Sequence, residues 1–105
     1  MTAEKQYKVI VSEKAYDTLS KIIGYIALDS IEAAVKVKNE ISKAMASLSY
    51  LPQRTPFLEG AFIPYNKYHK LVVLRCYLII YQCCDDVVYV DYIIDCKQDY
   101  QWLIR

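Results

Sequence analysis

The chain has few of the residues that interrupt regular structure: two glycines and three prolines in 105 residues. Regular elements joined by few loops are expected. It has one histidine, His69, and its four cysteines, Cys76, Cys83, Cys84 and Cys96, form no Cys-x-x-Cys pair. That spacing fits no common zinc site, so no metal is expected. Charge of either sign is in no excess, with 13 Lys and Arg against 12 Asp and Glu and a net charge of +1. A protein held on nucleic acid by charge alone is usually clearly basic, so that class is disfavoured. The longest apolar run, Cys76 to Tyr81, is strand-sized, far short of the roughly 18 residues of a membrane span. Residues 1–7 are polar, so no secretory signal is expected, and the default compartment is the cytoplasm with reduced thiols.

What is present is a globular composition, 55% hydrophobic and 24% charged. The length suits one domain, 1–105, large enough to fold without a disulfide or metal. Tyr7 to Val11 reads as a short strand. Ser12 resembles an N-cap with Glu13 in the first turn. Ala15, Leu19, Ile22, Ile23, Ile26 and Ala27 follow at helical spacing and predict a helix over 13–28. Asp29 and Ser30 interrupt it, and Asp29 with Glu32 resembles a capping box for a second helix. Ile31, Ala34, Val35, Ile41, Met45 and Leu48 mark its apolar stripe to about residue 49. So short a connection implies an antiparallel helical hairpin. Leu51 to Tyr68 holds every proline and reads as a loop with a short extended piece. The period then becomes two, and strands are expected at 70–74, 77–83 and 87–94, with Asp85-Asp86 as a tight turn. Tyr77 to Tyr81, apolar on both faces, is the expected sheet centre. Gln98 to Ile104 reads as a helical turn or a tail strand. The order strand, helix, helix, then three or four strands implies an α+β fold with a mostly antiparallel sheet.

Four stretches carry a family resemblance. VSEKAYDTLSKIIGYIA (11–27) runs from strand into helix. AAVKVKNEISKAMASLSYLPQRTP (33–56) ends in the spacing Pro52, Arg54, Pro56. KYHKLVVLRCYLIIYQ (67–82) is a basic strand followed by a tyrosine-flanked apolar one. VYVDYIIDCKQDYQWLI (88–104) closes the chain. In this order they resemble the RelE/ParE superfamily, the toxins of bacterial toxin–antitoxin pairs. The resemblance implies a growth-inhibiting toxin silenced by a cognate antitoxin. RelE-like members cut mRNA in the ribosomal A site, and ParE-like members block DNA gyrase.

RNA cleavage without metal needs a base, an acid and cations around one phosphate. If the chain is an endoribonuclease, the candidates are Lys67, His69 and Arg75. Lys67 and His69 would share a strand face, with Lys70 on the other. The resemblance also implies two arginines that are missing: Leu78 and Gln98 stand at positions where RNase members carry arginine. Residues 66–105 hold five basic and five acidic residues, counting Lys, Arg, Asp and Glu. These departures favour ParE-like inhibition of DNA gyrase over the ribosome and mRNA. A degenerate, non-toxic partner-binding member is a third reading. Lys70, Lys97, Tyr100 and Trp102 are the candidate partner contacts, although Trp102 with Leu103 also reads as an anchor for the tail. Tyr77 and Tyr81 read as core, and Tyr68, Tyr92 and Tyr100 as more open. Arg75 either binds a phosphate or pairs with Asp91 or Asp95. No cofactor is implied, and no membrane partner.

Overall fold

A computed structural model describes residues 6–60 and 63–95. In chain order these form β1 (Lys8–Val11), α1 (Glu13–Ala27), α2 (Ile31–Ser47), a single 3-10 turn (Pro52–Arg54), β2 (His69–Val73), β3 (Tyr77–Cys84) and β4 (Val87–Asp95). The strands make one sheet in the order β1-β4-β3-β2. β2, β3 and β4 form an antiparallel meander, and β1 lies parallel to β4 at the far edge. This is the expected α+β arrangement, with β3 inside the sheet.

Ser12 begins α1 as expected: its Oγ accepts from the Ala15 N–H at 3.0 Å. The same Oγ donates to the Asp91 carbonyl at 2.9 Å, tying the helix start to β4. α2 is capped by Ser30, whose Oγ accepts from the Ala33 N–H at 3.1 Å, and not by Asp29. The third residue of the helix is then Ala33, so no Asp29–Glu32 capping box forms. The buried line of α2 runs through Ala34, Val37, Ile41, Met45 and Leu48. Val35 and Ile31 lie outside it, and Ile31 is 73% exposed. Ile31 opens the helix at the hairpin tip, and Val35 sits one residue off the line that faces the sheet.

β3 is buried on both faces. Ile79 and Tyr81 pack with Val88, Val90 and Ile93 of β4 under Ala15, Leu19, Ile41 and Met45 of the helices. Leu78 and Ile80 face the other way, into a second cluster with Leu58, Ile63, Tyr68 and Ile94. Val90 and Ile93 share a face only because the ladder slips between Ile80 and Tyr81. Tyr81 pairs with Val90 and Ile80 with Tyr92, which leaves Asp91 as the extra residue of a β-bulge.

The segment after α2 is fastened at both ends. Arg54 reaches back over the helix end, its Nη1 donating to the Tyr50 carbonyl at 2.8 Å and its Nη2 to Ser47 Oγ at 2.8 Å. It thereby satisfies acceptors that a helix C-terminus leaves open. The Tyr81 hydroxyl donates to the Pro52 carbonyl at 2.6 Å and also bonds the Thr55 hydroxyl. Beyond it the backbone pairs briefly with the start of β2: the Lys70 N–H donates to the Pro56 carbonyl at 3.2 Å and the Leu58 N–H to the Tyr68 carbonyl at 2.6 Å.

The β2–β3 connection is strained. Leu74 and Arg75 have φ of 54° and 58°, and the Cys76 N–H closes the turn onto the Val73 carbonyl at 3.1 Å. Two successive positive φ values are those of a type I′ turn, which favours Asn-Gly. This is why β2 stops at Val73 and not at Leu74. Each L-residue held there costs about 1–2 kcal/mol. The double change Leu74→Asn, Arg75→Gly is expected to stabilise the fold by about 1 kcal/mol net of glycine's greater unfolded-state freedom. Thermal unfolding reads this as a rise of about 4–8 °C; an unchanged or lower Tm counts against the strain. By contrast, Tyr81→Phe leaves the buried Pro52 carbonyl without its donor and is expected to cost about 1–3 kcal/mol. A urea midpoint equal to that of the parent chain would mean that packing alone holds this segment.

Candidate functional site

The basic stretch before β3 is the first place to look, and the structure divides it. His69 is buried, at 5% exposed. Its ring lies between Phe57 and Tyr81, with centroids 4.3 and 5.4 Å away. Its Nδ1 is 2.9 Å from the Thr55 carbonyl. A carbonyl only accepts, so Nδ1 carries the proton and donates. His69 therefore fastens the 51–58 segment to β2.

Lys67 does not share a face with His69. It lies in the turn before β2, where Asn66 has φ 54°, so strand alternation has not begun. Its Nζ sits 5.2 Å from the Tyr68 ring centroid, on the side away from the helices. Lys70, on β2, pairs with Ile80 and faces that same side. Arg75 is exposed in the strained turn at the other end of β2. Four residue steps from His69 to Val73 already span roughly 13 Å. Lys67, His69 and Arg75 thus do not converge on one phosphate-sized point. Leu78 is buried beneath Leu58 and Ile63. Lys97, Gln98, Tyr100 and Trp102 lie outside the described residues.

What does converge is a cluster that strand alternation did not reveal. Tyr68 and Tyr92 meet edge to face with centroids 6.3 Å apart. Lys14, in the first turn of α1, places its Nζ 5.3 Å from the Tyr92 ring. The Asp91 carboxylate accepts from Gln82 Nε2 at 2.7 Å. Tyr68, expected to be open, is buried, and burial first and Asp91 second push its pKa up. Burial also raises Tyr92, with Tyr68 and Asp91 adding to it and Lys67 opposing. Both phenols are therefore neutral at pH 7 and poor bases. The cluster offers hydrogen bonds and positive charge to a partner, but no group poised to take a proton. The bulge at Asp91 brought Tyr92 beside Tyr68, and bulges leave little trace in a strand's sequence.

A larger recess lies on the other side of the molecule. A groove of about 650 Å³ runs between α1, α2 and β1, floored by Val9, Val11, Leu19 and Met45, with Ser20, Gly24 and Lys38 also lining it. A Cβ built on Gly24 meets nothing within 4 Å, so the groove is open there. β1 is an edge strand. Ser12 N–H bonds the Val90 carbonyl at 2.8 Å and Lys8 N–H the Asp86 carbonyl at 3.0 Å, both toward β4. Alternation then turns the backbone groups of Val9 and Val11 away from β4. Among the described residues no helix is long and apolar enough to cross a membrane, and no three His, Cys, Asp or Glu side chains gather as a metal site. Cys76 and Cys84 are exposed thiols, and burial raises the pKa of the half-buried Cys83.

No curated protein sequence matches the chain. Among solved structures, a chain of the "Chromosomal ParDE TA system from P. aeruginosa" superposes with a TM-score of 0.70 at 15% identity, covering 87% of this chain and 97% of that one. At that identity the likeness shows the fold. The family described as "ParE toxin of type II toxin-antitoxin system, parDE" matches residues 9–100. With that match running from β1 past the end of β4, the chain belongs to the ParE toxin family and is the toxin component of a type II toxin–antitoxin system.

Proposed function

We propose that this toxin acts by binding, with DNA gyrase as its target, and has no RNA-cleaving chemistry of its own. One observation carries the reading. The sheet face on which a nuclease would need cations around a phosphate is filled here by an apolar cluster that includes Leu78. Of the cations near it, Lys14 and Lys67 lie against Tyr92 and Tyr68, with no group among them poised to take a proton, and Arg75 stands at the far end of β2. His69 is committed to Thr55 and to two aromatic rings. The near-neutral charge supports the same reading, since a ribosome-directed nuclease gains from a basic face.

The antitoxin that silences the toxin docks, in this reading, along β1 and the helical groove. An extended segment adds to the open edge at Val9 and Val11, and an amphipathic helix lays its apolar face between α1 and α2. Lys38 at the groove wall suits an acidic residue on that helix.

Two experiments test the two halves. After induction without antitoxin, pulse-labelling is expected to show DNA synthesis failing first while translation continues. Early collapse of protein synthesis instead would favour the ribosome-directed alternative. For the groove, one position separates occupancy from helix propensity. Gly24→Ala adds a methyl group to open space and gains about 1 kcal/mol of helix propensity. Antitoxin affinity is expected to survive it. Gly24→Trp fills the groove and is expected to weaken binding at least tenfold by calorimetry. Equal affinity for both variants would place the antitoxin elsewhere.

A further inference from the structure

The sheet face turned away from the helices carries polar groups that neither the fold nor the docking groove uses. Tyr68 is 7% exposed. Among the described residues no hydrogen bond ends on the hydroxyl of Tyr68 or Tyr92, and no buried side-chain polar atom goes unsatisfied. Both hydroxyls therefore open at the surface with a proton to donate. Lys67 Nζ lies 5.2 Å from the Tyr68 centroid and Lys14 Nζ 5.3 Å from the Tyr92 centroid. Neither lysine forms an ion pair among the described residues. β1 ends at Val11, opposite Val90, and Lys14 reaches Tyr92 just past that point. Nearby, Ile10 and Tyr89 pair across β1 and β4 and are 38% and 36% exposed. Val88, Val90 and Ile93 face the helices, so alternation puts Tyr89, Ile10 and Tyr92 together on the outer face.

We propose that Lys14, Lys67, Tyr68 and Tyr92 bind a carboxylate side chain of an acidic peptide segment, whose apolar neighbour rests on Ile10 and Tyr89. Two neutral phenols donate and two ammonium groups supply charge, which is the donor set a carboxylate accepts. Burial above all keeps both phenols protonated. Three residue steps along β4 separate Tyr89 from Tyr92, about 10 Å, and an extended peptide covers that in three residues. The same geometry disfavours a nucleic acid strand. Single strands are held by stacking bases on open aromatic faces. Here Tyr68 is buried and meets Tyr92 edge to face, with a lysine over each ring. Asp91 also stands near both phenols, held by Gln82 Nε2 at 2.7 Å, and repels added negative charge. One carboxylate with an apolar neighbour limits that repulsion; a run of phosphates multiplies it. The site lies outside the groove between α1 and α2, so it does not depend on what that groove binds.

Nuclear magnetic resonance titration of the full-length chain tests this with a capped Gly-Ser peptide carrying one Glu and one Leu three residues apart. Shifts are expected at Lys14, Lys67, Tyr68 and Tyr92. The same peptide with Gln for Glu is expected to bind about tenfold more weakly. Tyr92→Phe, which removes only a hydroxyl, is expected to weaken the Glu peptide by about tenfold. Lys14→Ala and Lys67→Ala, both at exposed positions, are each expected to weaken it by about two- to fivefold. Lys36→Ala, an exposed lysine on α2, is expected to change nothing. Four results overturn the proposal. The Glu peptide moves none of the four residues at millimolar concentration; the Gln peptide binds equally well; Lys14→Ala and Tyr92→Phe leave affinity unchanged; or a mixed-sequence single-stranded oligonucleotide displaces the Glu peptide from the same residues, which would assign the site to nucleic acid.

Discussion

A strand that is apolar on both faces has to be covered twice, and β3 imposes that on the rest of the chain. Leu78, Ile79, Ile80 and Tyr81 are all buried, two on each side of the sheet. At roughly 1.5–3 kcal/mol for each large apolar side chain removed from water, neither face can be left wet. The helical hairpin covers Ile79 and Tyr81. Among the described residues no second helix pair covers the other side. The proline-bearing segment takes that place, laying Leu58 and Ile63 over Leu78 and Ile80. A segment with little regular structure can serve as a cover only if it is fixed. Arg54, Thr55, Pro52, His69 and Tyr81 supply the fixings.

That arrangement accounts for side chains which resemble parts of a catalytic site. A lone histidine beside lysines, on a strand facing an arginine-bearing turn, suggests acid–base chemistry. Here the second cover consumes the histidine. Its Nδ1 proton is donated to a backbone carbonyl, and its ring is stacked between Phe57 and Tyr81. Arg54 is likewise spent on the end of α2. A polar residue that satisfies a buried carbonyl cannot be released cheaply, because the acceptor left behind bears the desolvation cost. The same physics that closes the second face thus commits these groups to structural bonds.

The element order was legible because periodicity was strong: a 3.6-residue period through both helices, then a two-residue period through the meander, with Ser12 marking the start of α1. Three misreadings share a cause. Val35 for Val37, Lys67 paired with His69, and an open Tyr68 all come from extending a regular period past its end. α2 turns its stripe one residue away from the line Ile31 and Val35 suggest. Asn66 reverses the chain with a positive φ just before β2. The bulge at Asp91 changes the parity of β4, and only then do Val88, Val90 and Ile93 face the helices together. The cluster of Lys14, Lys67, Tyr68 and Tyr92 depends on both the turn and the bulge, so it could not be read from spacing. The groove between the helices was also hidden, since a sequence shows which residues are apolar but not which of them lack a neighbour.

A toxin that works by binding needs surface its own fold does not use, and the chain divides that surface by element. The edge of β1 and the groove under α1 and α2 offer an open backbone and an apolar floor. The hairpin tip is separate and distinctly apolar, with Leu28 86% and Ile31 73% exposed. The far end of the sheet carries Arg75 in a turn whose two positive φ values oppose its sequence. Strain of this kind persists only where the surrounding structure enforces it, and here the antiparallel pairing of β2 with β3 does so. An antitoxin seated along β1 would leave the Arg75 end uncovered. To silence a toxin that acts through that end, it must either reach around the hairpin or hold the toxin in an assembly too bulky for its target. A toxin that acts through the hairpin tip or the groove is silenced by direct occlusion. Silencing by simple competition therefore requires the target to contact the helical side of the molecule, the side on which α1 and α2 present their unburied faces.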